Sequence, residues 1–335
     1  MKAVVCTPDG TVVDDVPDPT PAAGEVVVEV DACGLCGSDV HAVERGHIRP
    51  GQILGHEFSG YVAELGSGVS DWWVGAPVAV NPLGSCGKCR ACAKGVPFDC
   101  PAVPNVGITA RGAYAQYVAV PADQLVGLPE DLPVELGACA EPLAVAVNAV
   151  RIANVRPGDT ALVYGVGSIG LNVIMALRLA HVDTVVAAGR TAGRRLAAAA
   201  VGADEVIDTR AVGVTEHAER SGRRYSAVFE CSGAPGAVAE SFGLLEPGGS
   251  CVAVALSRET LDVSVAGIVG NGTRLLGSCA FTRTDYRAAV EHIATWRAPV
   301  ADIISQRISL HDTPDMLVRL RTPGELVRVL TKPGS

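Results

Sequence analysis

The run Gly165-Val166-Gly167-Ser168-Ile169-Gly170 follows the apolar residues 161–164 directly and opens a second apolar segment, residues 169–180. A strand that turns through three glycines into a helix constrains the fold more than any other feature of this chain. The first glycine permits the tight turn, the second lets a pyrophosphate approach the backbone, and the third lets helix and strand pack closely. The helix N-terminus then offers free N–H donors and a positive dipole end to phosphate. Taken alone, the glycine pattern could be only a tight turn between strand and helix. Its place inside a βαβ unit makes it a dinucleotide site. Strand 184–188 and helix 194–201 come next, then strands at 205–207, 227–230, 250–256 and 274–276. Strands alternating with helices specify an α/β domain with a doubly wound parallel sheet.

The first 130 or so residues read differently, as short strands such as 2–6 and 25–32 separated by Pro- and Gly-rich stretches such as 17–24. That pattern predicts a β-rich, barrel-like domain. At 335 residues the chain exceeds the size at which one core stops growing. The tail, residues 281–335, offers one helix at 285–296 and an apolar run at 325–330. Too short to fold alone, it is expected to return to the N-terminal domain. The expected division is therefore 1–150 with 278–335 as one domain and 151–277 as the nucleotide domain. Internal repeats and low-complexity tracts are absent from the sequence.

Composition narrows the partners. Apolar residues make up 48% and charged residues 19%, the balance of an ordered globular protein. A formal charge of -9 without any Lys/Arg run opposes binding to nucleic acid or anionic lipid. Asp9, Asp14 and Asp15 stand where a signal peptide needs an apolar core, and no uninterrupted apolar stretch is long enough to span a bilayer. A cytoplasmic protein without membrane association is expected.

The eleven cysteines are unevenly placed. Cys86, Cys89, Cys92 and Cys100 have C-x2-C-x2-C-x7-C spacing, which lets four thiolates close a tetrahedron around Zn2+. Disulfides and an iron–sulfur cluster are the rivals, the latter suggested by Pro101 after the last Cys. Ferredoxin-type runs place the fourth Cys three residues on rather than seven. Structural zinc is the better fit. A second set comprises Cys36-Gly37-Ser38-Asp39-Val40-His41, Gly55-His56-Glu57 and Glu141-Pro142-Leu143. Cys36, His56 and one carboxylate would supply three protein ligands and leave a coordination position for water or substrate, the pattern of a catalytic zinc. Singly, each residue has an ordinary reading as a core thiol, a turn histidine or a surface charge. Beside the four-Cys loop and the glycine run, the metal reading prevails.

These motifs together resemble the zinc-dependent medium-chain alcohol dehydrogenases, and within them the polyol branch of sorbitol, threonine and butanediol dehydrogenases. The resemblance covers essentially the whole chain. It implies a GroES-like catalytic domain formed by both chain ends, with the Rossmann domain inserted between. It implies Cys36 and His56 as zinc ligands, with Glu57 and Glu141 as alternating ligands or carboxylates that hold water. Glu141 stands where many alcohol dehydrogenases carry a Cys, which favours the polyol branch. Two departures stand out. Asn148 occupies a position often filled by His in Glu-Pro-Leu members, although cyclitol dehydrogenases of aminoglycoside biosynthesis look similar there. Gly189 stands where many relatives carry an Asp.

The chemistry expected is hydride transfer between a nicotinamide and a secondary alcohol or its ketone, with Zn2+ as the Lewis acid. The resemblance implies a proton relay through the Ser38 hydroxyl, the cofactor ribose and His41. Asp39 is expected to orient the site from behind the ligands. Cofactor choice reads from Ala187-Ala188-Gly189-Arg190-Thr191, followed by Arg194 and Arg195. An acid at the Gly189 position would bind the ribose hydroxyls of NAD and repel a 2′-phosphate. Without it, NADP(H) is expected over NAD(H), with Arg190 as the main phosphate contact. Arg194 and Arg195 either assist or form a solvated helix face. The resemblance further implies a homotetramer or homodimer joined through the nucleotide domains. Two alternatives compete: a biosynthetic cyclitol or amino-cyclitol dehydrogenase of the same family, and a non-catalytic nucleotide-binding redox sensor.

Overall fold

The computed structural model describes residues 1–257, 260–262, 264–322 and 324–334. Two compact units emerge, one formed by Met1–Glu141 with Phe281–Ser335 and the other by Pro142–Ala280.

The second unit is built on a six-stranded sheet, all of it parallel. Its strands run in the order Glu205–Asp208, Thr184–Gly189, Thr160–Tyr164, Tyr225–Glu230, Leu245–Ala253 and Arg274–Gly277. Leu162, Val186, Val228 and Cys251 are wholly buried, as continuous apolar runs covered on both faces require. The order reverses between Thr160–Tyr164 and Tyr225–Glu230, and ligand crevices in such sheets open at that reversal. The helix Ser168–Leu179 leaves from this point, with every residue from Gly170 to Leu177 buried. One strand begins earlier than the sequence suggests. The strand expected from Ser250 starts at Leu245, which pairs with Tyr225, and the register then jumps past Pro247-Gly248-Gly249 to set Ser250 opposite Ala227.

The first unit centres on a seven-stranded sheet. Its main path is Ile304–Ser309, Arg328–Lys332, Glu25–Gly34, Glu57–Leu65, Pro77–Val80 and Leu125–Gly127, while Tyr117–Pro121 also pairs with Glu25–Gly34. The C-terminal strand thus lies antiparallel to Glu25–Gly34, placing Leu330 opposite Gly34. The tail carries two more helices than its periodicity discloses, Arg297–Asp302 and Thr313–Arg319. Both are too short to show a helical repeat, although Pro314 marks the start of the second.

A 3-10 turn, Val134–Cys139, runs straight into the helix Ala140–Ala153. Over Val134–Ala153 the mean hydropathy is 1.4 across 20 residues, enough by length and composition to cross a bilayer. The sequence reading, which sought an uninterrupted apolar stretch, passed over it because Glu135, Glu141 and Arg151 interrupt the run. Buried over 72% of its apolar window, it serves as a core helix.

Candidate active site

Three chain segments meet within the first unit. Cys36 precedes the helix Gly37–Glu44 as its N-cap, at the positive end of the helix dipole. His56 and Glu57 enter the strand Glu57–Leu65 from Gly55, whose φ of 94° few other residues tolerate. Donor atoms of Cys36, His56 and Glu57 all lie within 4.8 Å of one another. Thiolate, imidazole and carboxylate at this separation fit zinc with three protein ligands. His56 Nδ1 and Glu57 Oε2 are buried without a hydrogen bond, each facing a charged side chain instead, Asp39 and Arg328 respectively.

The surroundings orient these groups and bias their protonation: burial, with the nearby Glu57 charge, raises the Cys36 thiol pKa, while His56 and Glu57 are held toward their charged forms. Asp39 Oδ1 lies 3.4 Å from His56 Nδ1, a charge contact short of a full hydrogen bond. That leaves the opposite ring nitrogen for the metal, as a carboxylate behind a ligand histidine is expected to do. Arg328 Nη2 lies 2.6 Å from Glu57 Oε2 and donates to the Ala138 carbonyl at 2.8 Å. Burial would raise the Glu57 pKa, but Arg328 and His56 outweigh it and hold the carboxyl below its ordinary value. Burial likewise disfavours protonated His56, yet Asp39 and Cys36 raise its pKa well above the usual range. A β-carbon on Gly34 would collide with the Arg328 guanidinium, so the strand register that sets Gly34 between Glu57 and Leu330 makes room for this pair.

Glu141 lies outside the three-donor cluster, at the start of the helix Ala140–Ala153. Burial is the main cause of its raised pKa, about 8, and Glu57 adds to it while His56 opposes. Ser38 donates to Cys36 Sγ at 3.2 Å. His41, three residues on and therefore on the same helix face, is exposed and sits 3.6 Å from Glu44. Asn148 donates to Ser278 Oγ at 3.1 Å and accepts from Arg151 at 2.6 Å. Sequence reasoning missed Tyr114, Arg328 and the clearance at Gly34. Nothing in the spacing of the motifs points to residues so far along the chain.

The cysteine loop is also assembled. Cys86, Cys89, Cys92 and Cys100 offer sulfurs within 4.8 Å of one another, with Cys89 Sγ 3.5 Å from Cys92 Sγ and 3.9 Å from Cys100 Sγ. Tetrahedral zinc with Zn–S bonds of about 2.3 Å has S···S edges of roughly 3.8 Å. A disulfide needs about 2.05 Å, and all eleven cysteines are free. Backbone amides of Cys86 and Ala102 lower the Cys100 pKa to about 6, preparing a thiolate.

In the second unit the three glycines divide their work. Gly165 has φ 104°, and a β-carbon there would stand 2.6 Å from Ser232 N. One on Gly170 would collide with the Gly165 carbonyl. Around Gly167 the nearest neighbour is Arg194 Nη1 at 3.8 Å, which leaves room for a pyrophosphate. Ser168 Oγ, at the helix start beside Ile169, and Thr191 Oγ1 are buried without partners. A side chain on Gly189 would collide with Val166 Cγ2. Arg190 is exposed, and Arg195 is engaged by Asp208 at 2.8 Å and by the Arg190 carbonyl at 2.8 Å. Arg195 therefore braces the loop, whereas Arg190 is directed to solvent.

Known proteins share this arrangement. Residues 22–130 match the alcohol dehydrogenase GroES-like domain family, and residues 168–295 match the zinc-binding dehydrogenase family. A sorbitol dehydrogenase of Halalkalibacterium halodurans is 31% identical, the alignment covering 99% of each chain. A zinc-binding dehydrogenase structure from Sinorhizobium meliloti 1021, bound to NADP, superposes with a TM-score of 0.92 at 34% identity over 99% of both chains. A structure from Escherichia coli CFT073, described as a short chain alcohol dehydrogenase (rspB) complexed with NADH, gives 0.92 at 28% identity over 99% of both.

Proposed function

The chain belongs to the zinc-dependent medium-chain alcohol dehydrogenases of the polyol branch, and on that premise we propose that it moves a hydride between NADP(H) and a secondary alcohol or polyol, or the matching ketone. The cluster of Cys36, His56 and Glu57 carries this reading, because a site with three protein donors leaves a coordination position for substrate oxygen. Cys36, His56 and Glu57 would hold a zinc ion, which would supply Lewis-acid activation of the alcohol or ketone oxygen, and the bound nicotinamide would supply the hydride chemistry. Glu141, buried beside the donors, is the carboxyl that holds water or exchanges with Glu57 as a ligand. Asp39 fixes the His56 ring. Ser38, able to donate and accept, takes the substrate proton, and His41 passes it to solvent from the same helix face. A panel of polyols, cyclitols and short diols, assayed with both cofactors in both directions, tests the proposal. Absence of turnover throughout would overturn it in favour of a non-catalytic sensor.

Two zinc ions per chain are expected, one at this cluster and one at Cys86, Cys89, Cys92 and Cys100. Elemental analysis of freshly purified protein should give a ratio near two, and Cys100→Ser should lower it to near one while opening the 86–100 loop to proteolysis. Iron accompanied by visible absorbance would contradict the assignment of the cysteine loop.

The preference for NADP(H) rests on the second sheet strand. Gly189 carries no acid to repel a 2′-phosphate, and Val166 fills the space where one would stand. Arg190 is free to meet the phosphate from the solvent side, and Arg194 lies beside the glycine loop. A hydrogen bond to a charged group is worth about 1.5–3 kcal/mol, so Arg190→Ala should raise the NADP Michaelis constant about 10- to 100-fold and leave that for NAD nearly unchanged. A wild-type preference for NAD, or an NADP constant unmoved by the substitution, would reverse this reading.

We also assign a cytoplasmic location, since unlinked cysteines poised for metal suit a reducing compartment. The chain is expected to form a homodimer or homotetramer through the nucleotide unit. Its edge strand Arg274–Gly277 lies close in sequence to the helix Val265–Asn271, where Val265 and Val269 are more than 70% exposed. Sedimentation velocity yielding only monomer would remove that part of the proposal.

A further inference from the structure

Tyr114 takes no part in the scheme above, yet its side chain is wholly buried against the metal cluster. Its hydroxyl lies 2.6 Å from Asp39 Oδ2 and 3.2 Å from the Gly34 carbonyl. One phenolic proton serves one strong bond, and the shorter contact to the carboxylate takes it. The other oxygen of Asp39 faces His56 Nδ1 at 3.4 Å. The Tyr114 backbone is tied to the same neighbourhood, donating to the Leu54 carbonyl at 3.0 Å. Its ring closes over Gly55, where a β-carbon would stand 2.7 Å from Cδ1. Tyr114 is thereby joined to the helix that bears Asp39 and to the turn that delivers His56.

We propose that Tyr114 is a positioning residue for the catalytic metal: its hydroxyl pins the Asp39 carboxylate so that His56 keeps its proton on Nδ1 and presents Nε2 to zinc. The geometry is a chain of three side chains, in which Tyr114 is hydrogen-bonded to Asp39 at 2.6 Å and the other oxygen of Asp39 makes a charge contact at 3.4 Å with the ligand His56. A lone Asp39 could rotate away from the imidazole at little cost. With one oxygen fixed by the phenol, the other remains directed at His56. Outer partners of this kind typically tune metal affinity by about 10- to 100-fold. Acting through Asp39, Tyr114 is expected at the lower end of that range.

The inference rests on the reading of Cys36, His56 and Glu57 as a metal site, and the experiment separates the two. Zinc release from the holoenzyme is measured by chelator competition in wild type, Tyr114→Phe, Asp39→Asn and the double variant. The same proteins are exchanged with Co2+ and their visible spectra recorded. Phe keeps the ring that packs on Gly55 and removes only the hydroxyl. Expected are an affinity about tenfold weaker in Tyr114→Phe, a shifted cobalt band, and no further loss when the change is made on top of Asp39→Asn. A purely structural tyrosine would lower the melting temperature yet leave affinity within twofold and the cobalt band in place, which would overturn the proposal. Equal, additive losses in both backgrounds would overturn it as well, by showing that Tyr114 does not act through Asp39. A wild type that holds metal only at the four cysteines would defeat the underlying site instead. Should Tyr114→Phe fail to fold, 15N NMR of wild-type holoenzyme decides, with an Nδ1-protonated His56 in support and the opposite tautomer against.

Discussion

Cys36→Ser and His56→Ala should each reduce turnover by at least about 10³-fold while leaving nucleotide binding close to that of the wild type. The size follows from what the metal supplies. Polarising a reacting oxygen contributes several kcal/mol to the transition state, and each 1.36 kcal/mol is tenfold in rate. Removing one of three donors from a site with an open position forfeits most of that contribution. Stability should suffer much less. Cys36 is only half-buried and, as an N-cap, makes no side-chain hydrogen bond to the backbone of its helix, only the contact from the Ser38 hydroxyl. The glycine run proposed to receive the cofactor belongs to the other unit of the chain. Steady-state kinetics together with fluorescence titration of NADPH would check this. A variant retaining a tenth of wild-type turnover, or losing nucleotide binding in step with activity, would remove Cys36 and His56 from the catalytic centre.

Much of this organisation is legible in the sequence because its signals are local. The glycine run announces itself by the apolar strand before it and the helix behind it, and the structure places Gly165 and Gly167 in the turn and Gly170 in the first turn of the helix. The four cysteines share one loop, so spacing alone conveys their common site. Cys36, His56 and Glu57 are legible only as a combination, since no single spacing brings them together. Beyond such local patterns the sequence is mute. Arg328 reaches Glu57 through a strand register that only the folded sheet defines, and Gly34 shows no turn chemistry that would mark it as a clearance. Tyr114 reads as one more aromatic residue on an apolar stretch. Arg195 illustrates a reading that the sequence leaves open between a phosphate contact and a helix-face charge. In the folded chain its guanidinium pairs with Asp208 on the neighbouring strand, a partner that sequence spacing does not disclose.

Arg328→Met is the substitution that should most damage stability, and the damage should depend on metal. Arg328 and Glu57 have side chains only 2% exposed, with the guanidinium nitrogen 2.6 Å from the carboxylate oxygen. Removing one member of a buried pair leaves an uncompensated charge, which typically costs about 3–5 kcal/mol. For a unit of this size each kcal/mol is worth roughly 2–4 °C, so the melting temperature should fall by about 10 °C. The loss has a second component, because Arg328 also donates to the Ala138 carbonyl in the turn that leads to Glu141. Methionine fills much of the vacated volume without a charge. Arg328→Met/Glu57→Gln should therefore recover most of the lost stability, since no buried carboxylate is then left without a counter-ion. A zinc ion at the proposed site beside Glu57 would supply positive charge of its own, so the deficit should be smaller in the metal-loaded protein than after chelation. Differential scanning calorimetry of both variants with and without metal would measure these differences. A melting temperature within about 2 °C of wild type for Arg328→Met would mean that the carboxylate finds another partner. A deficit indifferent to metal would separate Glu57 from the zinc site altogether.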